Sequence, residues 1–401
     1  MKILFLSQRF LLPMDTGGKI RTGNILEQLS KFHEITLMSN VESPKDDSYM
    51  PDMNRFCKRF IPVQWKEIKR SSPLFFIKLF FQMFSFCPVS VLNDYSIRLR
   101  KAVEKELARE TYDLAVCDFV QSALMFRNVR HLPILLFQHN VESVISHRHI
   151  SQNTNPVLKL FWWLQWRKMF RFEKKACRHF DMVIAVSETD RDLFRNLYAA
   201  DNVSTIPTGV NIQYYEPSHH KSTPNSLVFC GSMDWLPNED AVLFFIHDIL
   251  PVIHRKIKDI HMTVVGRRPS AALKKQVEKI SNLTLTGWVD DTRPYIAAGA
   301  VFIVPIRIGG GTRMKIYEAM AMGKAVVSTT IGAEGLPVKD NEHLMIADDP
   351  GEFGHVIIDL LTDHEKRSRL GKNARDYVKN NFAWQSVARV FSNICTELVQ
   401  R

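Results

Sequence analysis

AVFIVPIRIGGGTRMKIYEAMAMGKAVVSTT, residues 300–330, is the stretch whose reading decides the fold. Ala300 to Ile306 is a β-branched apolar run, Ile308 to Thr312 a glycine-rich turn, Arg313 to Met322 a helix, and Ala325 to Thr330 is apolar again. This is a strand, loop, helix, strand unit. In a parallel sheet such a unit puts its loop at the carboxyl end of the first strand, where open α/β sheets bind ligands. Gly309, Gly310 and Gly311 let backbone approach a ligand closely, and Thr312 is placed to cap the following helix.

Arg313 and Lys315 put two cations in the first helical turn, where the macrodipole disfavours positive charge, so a bound anion such as a diphosphate would relieve the conflict. Two cations pointing into solvent are the simpler alternative. Glu318 follows one turn later and can accept two neighbouring hydroxyls. Its structural alternative is an i,i+3 pair with Lys315, worth about 0.2–0.5 kcal/mol.

The run P-x-x-x-G-x-G-T-R-x-K-x-x-E-A-M-A-x-G-K-x-V-V-S, from Pro305 to Ser328, resembles the donor-site signature of the GT4 family of retaining glycosyltransferases. The resemblance implies the GT-B fold: α/β, two facing Rossmann-like αβα domains with an interdomain cleft. It implies that Glu318 binds the ribose of a nucleotide sugar. The family's usual form has a second glutamate where this sequence has Gly310, a carboxylate that would hold donor-sugar hydroxyls, so the identity of the sugar does not carry over. Backbone amides of Gly310 to Thr312 are the expected substitute.

Bulk properties agree with two domains of ordinary size. The chain has 401 residues, 45% hydrophobic and 24% charged, with a net charge of +11, which favours anionic partners. No nucleic-acid module is recognisable, which leaves phosphorylated substrates and an acidic membrane face. Cys57, Cys87, Cys117, Cys177, Cys230 and Cys395 lie far apart without a C-x-x-C pair and read as reduced and buried, hence cytoplasmic. The sequons at Asn202 and Asn282 carry no meaning there. MKILFLSQRF, residues 1–10, is too short for a signal peptide and reads as a first strand; Pro73 to Leu92 is broken by Lys78, Gln82 and Pro88 and does not read as a spanning helix.

The expected domains are 1–212 on the acceptor side, joined by a C-terminal helix 383–401 that crosses back, and 213–382 for the donor. In the first, Gly17 and Gly18 open a helix after the first strand, and the family has a similar loop facing the cleft. His139 ends the strand Pro133 to Asn140, and family relatives carry a similar histidine near the donor sugar; a lone histidine is otherwise a satisfied structural residue. FFIKLFFQMFSF, residues 75–86, and PVLKLFWWLQWRKMFRFEKKACRHF, residues 156–180, have two readings each. They are helices whose aromatic side is buried, or surfaces that lie on an anionic bilayer or a lipid-linked acceptor.

The polar stretch Tyr214 to Ser226 marks the linker. The turn after Cys230 lacks the Arg and Lys that many GT4 members use on the diphosphate; Asp234, Trp235 and Asn238 stand there instead. That leaves Arg313 and Lys315, with Arg267 or Arg268, as phosphate cations. LTLTGWVDD, residues 283–291, matches a family segment whose backbone holds the nucleobase, which nominates Gly287 and Val289.

The resemblance thus implies a retaining transferase that moves a sugar from a UDP- or GDP-linked donor to a saccharide or lipid-linked acceptor by same-face attack, in exopolysaccharide or other glycoconjugate assembly. The nucleotide sugar is a co-substrate and no cofactor is expected. No acidic pair for a metal is found, so metal independence is expected. The alternatives are a 2-epimerase on the same fold, which needs acid and base residues not found here, and a non-catalytic nucleotide-sugar-binding subunit.

Overall fold

The computed structural model describes residues 1–66, 72–152, 155–217, 222–308 and 313–401. The chain divides into two compact units, residues 1–207 with 387–401, and residues 208–386.

The first unit carries seven parallel strands, β1 (Lys2–Leu6), β2 (Glu34–Val41), β3 (Arg59–Gln64), β4 (Leu114–Asp118), β5 (Ile134–Phe137), β6 (Met182–Ala185) and β7 (Val203–Thr205), ordered β3-β2-β1-β4-β5-β6-β7. Helices cover both faces, so β4, β5 and β6 are buried along their whole length and read as unbroken apolar runs. β3 is hidden in the sequence because it is an edge strand that is only half-buried and carries Pro62, a residue tolerated at sheet edges.

The second unit has β8 (Ser226–Cys230), β9 (His261–Val265), β10 (Leu283–Leu285), β11 (Val301–Val304), β12 (Ala325–Ser328) and β13 (Met345–Ile346), also parallel, ordered β10-β9-β8-β11-β12-β13. The expected strand, helix, strand unit is β11, the helix Met314–Ala321 and β12. The helix begins one residue later than the sequence suggests, with Arg313 at its N-cap position. Gly309, Gly310, Gly311 and Thr312 lie outside the described residues.

Chain order reverses direction across each sheet at one place, between β1 and β4 in the first and between β8 and β11 in the second. Loops leave those strand pairs in opposite directions and open a crevice at their carboxyl ends. The closing helix Trp384–Gln400 returns to the first unit, where Phe391 packs edge-on against Phe137 at 5.3 Å and Ser392 bonds His33 at 2.7 Å. The polar segment after Asn211 is docked on the second unit: the Arg293 guanidinium lies 3.8 Å from the Tyr214 ring centroid and donates to the Tyr214 carbonyl at 3.1 Å.

All six cysteines are free thiols, five of them buried and Cys87 half-buried. Among the described residues no helix is long and apolar enough to cross a membrane.

Candidate active site

Each sheet brings polar side chains together at its crevice, with different internal logic.

In the first unit, Asp118 is the last residue of β4 and His139 follows β5 by two positions. His139 is 4% exposed. Its Nε2–H donates to Asp118 Oδ1 at 2.8 Å, and its Nδ1 accepts from Arg21 Nη1 at 3.1 Å. Thr22 donates to both Asp118 oxygens, at 3.2 and 3.1 Å. Burial lowers the imidazole's proton affinity, against the pull of Asp118, which keeps the ring neutral in this one tautomer. Phe119 stacks on the ring at 3.9 Å. Phe119 sits at φ 62, a conformation that non-glycine residues adopt only when their surroundings force it. Its ring tip would lie 2.6 Å from a Cβ at Gly18, so only glycine fits there, whereas Gly17 meets nothing within 4 Å. A cavity of about 440 Å³ opens beside this cluster, reaching Thr16, Gly18, Asp118 and Phe119.

The loop that carries His139 is anchored from behind by Glu173. This is the single acid of the tryptophan helix, Pro156–His179, and it is fully buried. It accepts from the backbone N–H of Glu142 and Ser143, both at 2.8 Å, and from the Tyr198 hydroxyl at 2.6 Å. Burial still pushes its carboxyl up to about 7.

In the second unit, the turn after β8 faces the helix after β11. Lys315 Nζ donates to Asn238 Oδ1 at 2.7 Å and lies 4.3 Å from the Phe229 ring centroid. Asn238 is held in turn by Ser232, whose carbonyl accepts from Nδ2 at 2.8 Å. Gly231 leaves room for this pair, because a Cβ there would stand 2.7 Å from Asn238 Nδ2 and 2.7 Å from Lys315 Nζ and would displace them. Burial pushes the Lys315 ammonium down to about 7. Glu318 accepts from the Tyr215 hydroxyl; burial raises its carboxyl, while Tyr215 and Lys315 pull the other way. Among the described residues no carboxylate lies within ion-pair distance of Lys315, so the i,i+3 pair with Glu318 does not form.

Arg313 is buried beneath Trp235, its guanidinium 5.0 Å from the ring centroid. Arg267 Nε donates to Ser232 Oγ at 2.9 Å, and Arg268 pairs with Asp234 at 3.2 Å, so both arginines stand at the same turn. Gly287, after β10, has φ +72 and borders a separate cavity of about 770 Å³ with Trp288; Val289 packs on the core.

The structure therefore gathers Arg267, Arg313, Lys315 and Glu318 along one crevice, keeps Gly287 and Val289 at the β10 edge of the same sheet, and assembles Gly18 with His139 in the first unit. Sequence reasoning missed Asp118, Thr22, Arg21 and Tyr215. For Asp118 there was a signal, an acid closing the otherwise apolar run LAVCD. For the others there was none, since their roles come from partners up to about a hundred residues distant. Among the described residues no group of three or more metal-ligating side chains is found.

Comparison with known proteins gives two family matches, Glycosyltransferase Family 4 over residues 24–214 and Glycosyl transferases group 1 over residues 224–363. A protein from the cps region of Klebsiella pneumoniae, uncharacterised, is 24% identical over 99% of both chains. Sucrose-phosphate synthase from Thermosynechococcus elongatus superposes with TM-score 0.69 at 18% identity, over 100% of this chain and 99% of that one. Anabaena HepE, solved with UDP and glucose, superposes with TM-score 0.64 at 14% identity, over 99% and 100%.

Proposed function

This chain belongs to the family 4, group 1 glycosyltransferases and has the GT-B fold, and from that premise we propose the reaction that it performs: transfer of a sugar from a UDP- or GDP-linked donor to a saccharide or lipid-linked acceptor, with retention of configuration, in assembly of a surface polysaccharide or related glycoconjugate. The observation that carries the reading is the second-unit crevice, where a buried ammonium and a buried carboxylate on one helix are each held by a neutral partner and not by each other. A nucleoside diphosphate answers both needs, its phosphates meeting Lys315 and its ribose hydroxyls meeting Glu318. The UDP bound to HepE and the cps-region relative support the choice of donor and setting.

In this scheme Lys315, Arg313 and Arg267 neutralise the departing diphosphate, work that a metal ion would otherwise do. The departing phosphate oxygen accepts the proton of the acceptor hydroxyl, which attacks from the same face. His139 is a poor general base, since Asp118 and Arg21 occupy both of its nitrogens, so no proton transfer is routed through it. The acceptor is presented at an anionic membrane surface, consistent with the basic charge and with the outward aromatic residues described below.

The test is turnover of a panel of UDP- and GDP-sugars with saccharide and lipid-linked acceptors, with and without EDTA. Product formation with retained anomeric configuration and indifference to the chelator is expected. Binding of the nucleotide without turnover would make the chain a binding subunit, sugar interconversion without acceptor would make it an epimerase, and activity restored only by magnesium or manganese would overturn the metal-independent scheme.

A further inference from the structure

The helix Pro73–Met83 turns most of its apolar residues outward. Phe76, Ile77, Phe80 and Phe81, followed by Phe84, recur at the spacing of one helical face, and that face points to solvent: Phe81 is 69% exposed and Phe84 74%. The inward side holds Gln82, which is buried, with Phe75, Lys78, Leu79 and Met83, which are half-buried. The helix end is tied down, because Lys168 donates to the Met83 carbonyl at 2.7 Å, a cation on the negative end of the helix dipole. Phe86, just beyond, is 96% exposed. An exposed apolar surface of this extent marks an interaction site.

Phe86 also stands at the mouth of a cavity of about 930 Å³ that runs along the tryptophan helix. Its floor is hydrocarbon and aromatic, with Trp163, Leu164, Phe172 and Leu124. Its rim is cationic, with Arg127, Arg130, Arg167, Arg171 and Lys175, and no acid lines it. Among the described residues none of these five cations pairs with a carboxylate. Arg130 is aimed by donating to His179 Nδ1, whose Nε2–H donates to the Phe126 carbonyl at 2.9 Å. Like charges gathered without counterions around an apolar slot repel one another and focus a positive field on it, which an anionic amphiphile would answer.

We propose that this cavity binds an anionic phospholipid, with the phosphate among Arg127, Arg171 and Lys175, hydrocarbon along Trp163, Leu164 and Phe172, and the outward phenylalanines seated in the bilayer beside it. The inference rests on the reading of the protein as a transferase working at an anionic membrane surface. A second copy of the chain is a poorer occupant, because a symmetric contact would set the same cations against one another. An acidic protein would satisfy the rim but leave the slot without hydrocarbon.

The test uses the full chain. Dioctanoyl phosphatidylglycerol below its micellar concentration, dioctanoyl phosphatidylcholine and inorganic phosphate are titrated by calorimetry, and sedimentation with phosphatidylglycerol-containing vesicles is measured in parallel. Saturable binding of the phosphatidylglycerol alone is expected. The exposed pair R171E and K175E should weaken it by at least about thirtyfold, the loss for two cations at an anionic surface. Filling the slot with L124W should abolish it, and F81S with F84S should spare it while reducing vesicle sedimentation. Far-UV circular dichroism and the melting transition of the first unit report that each variant is folded, and UDP binding is followed separately. Equal binding of phosphatidylcholine, equal heats from inorganic phosphate, or unchanged phosphatidylglycerol binding by the rim variant would overturn the site. Vesicle sedimentation that survives in the rim and slot variants would leave the membrane reading standing and the cavity proposal refuted. Loss of UDP binding in the wild type would instead refute the transferase reading.

Discussion

The two crevices differ in how they satisfy charge. In the first unit the side chains close on one another: Asp118 takes two donors, the Thr22 hydroxyl and the His139 N–H, and both nitrogens of His139 are used within the protein. In the second unit Lys315 leans on an amide and an aromatic ring, and Glu318 on a phenol. A closed polar cluster stabilises the fold that contains it, because each member is desolvated and repaid. An open one costs stability until a ligand supplies the missing charge, and that cost identifies the second crevice as the place where a charged ligand belongs.

The largest effect should come from breaking the closed cluster. Asp118→Ala leaves the Thr22 hydroxyl and the His139 N–H without their acceptor, and should destabilise the first unit by about 3–6 kcal/mol, two buried hydrogen bonds to a charged group at about 1.5–3 kcal/mol each. Chemical denaturation reads this, and a loss below about 1 kcal/mol would mean that the cluster is not holding the crevice together.

The open crevice should respond in the opposite sense. Lys315→Met removes a buried ammonium that has no anionic partner, so melting temperature should hold or rise while affinity for nucleoside diphosphate falls by about 1.5–3 kcal/mol. Affinity for the bare nucleoside should be unchanged. If both ligands lose equally, the phosphates lie elsewhere.

Lys315 also sets a pH dependence. Burial pushes its ammonium down to about 7, and a bound diphosphate favours the charged form, so binding takes up a proton above that pH. Affinity should therefore be full below about 7 and decline as pH rises beyond it, by up to tenfold per unit until the pKa of the bound state is reached. The dependence should vanish in Lys315→Met. Calorimetry in buffers of different ionisation heat reports the proton directly.

The smallest effect concerns Tyr215, whose hydroxyl orients Glu318. Tyr215→Phe should cost about 0.5–1.5 kcal/mol of nucleotide affinity, the worth of one hydrogen bond, while Glu318→Gln should cost more, about 1.5–3 kcal/mol, because the charge itself is lost. Equal losses would place Tyr215 on the ligand and not behind the carboxylate.

By itself the sequence determined the helix that carries Arg313, Lys315 and Glu318, set by a glycine-rich turn between two apolar runs of strand length, and its resemblance to the GT4 family implied the two αβα domains around it. It also nominated His139, from its place at the end of a strand. Only the tertiary structure decided what these residues do to one another. Asn238 stands 77 positions from Lys315, and Arg21 118 positions from His139, and no local pattern records such pairings. The same holds for residues 75–86. Helical periodicity shows that one face is apolar, but which way that face turns depends on what the rest of the chain packs against it, and here Gln82 went in and most of the phenylalanines stayed out.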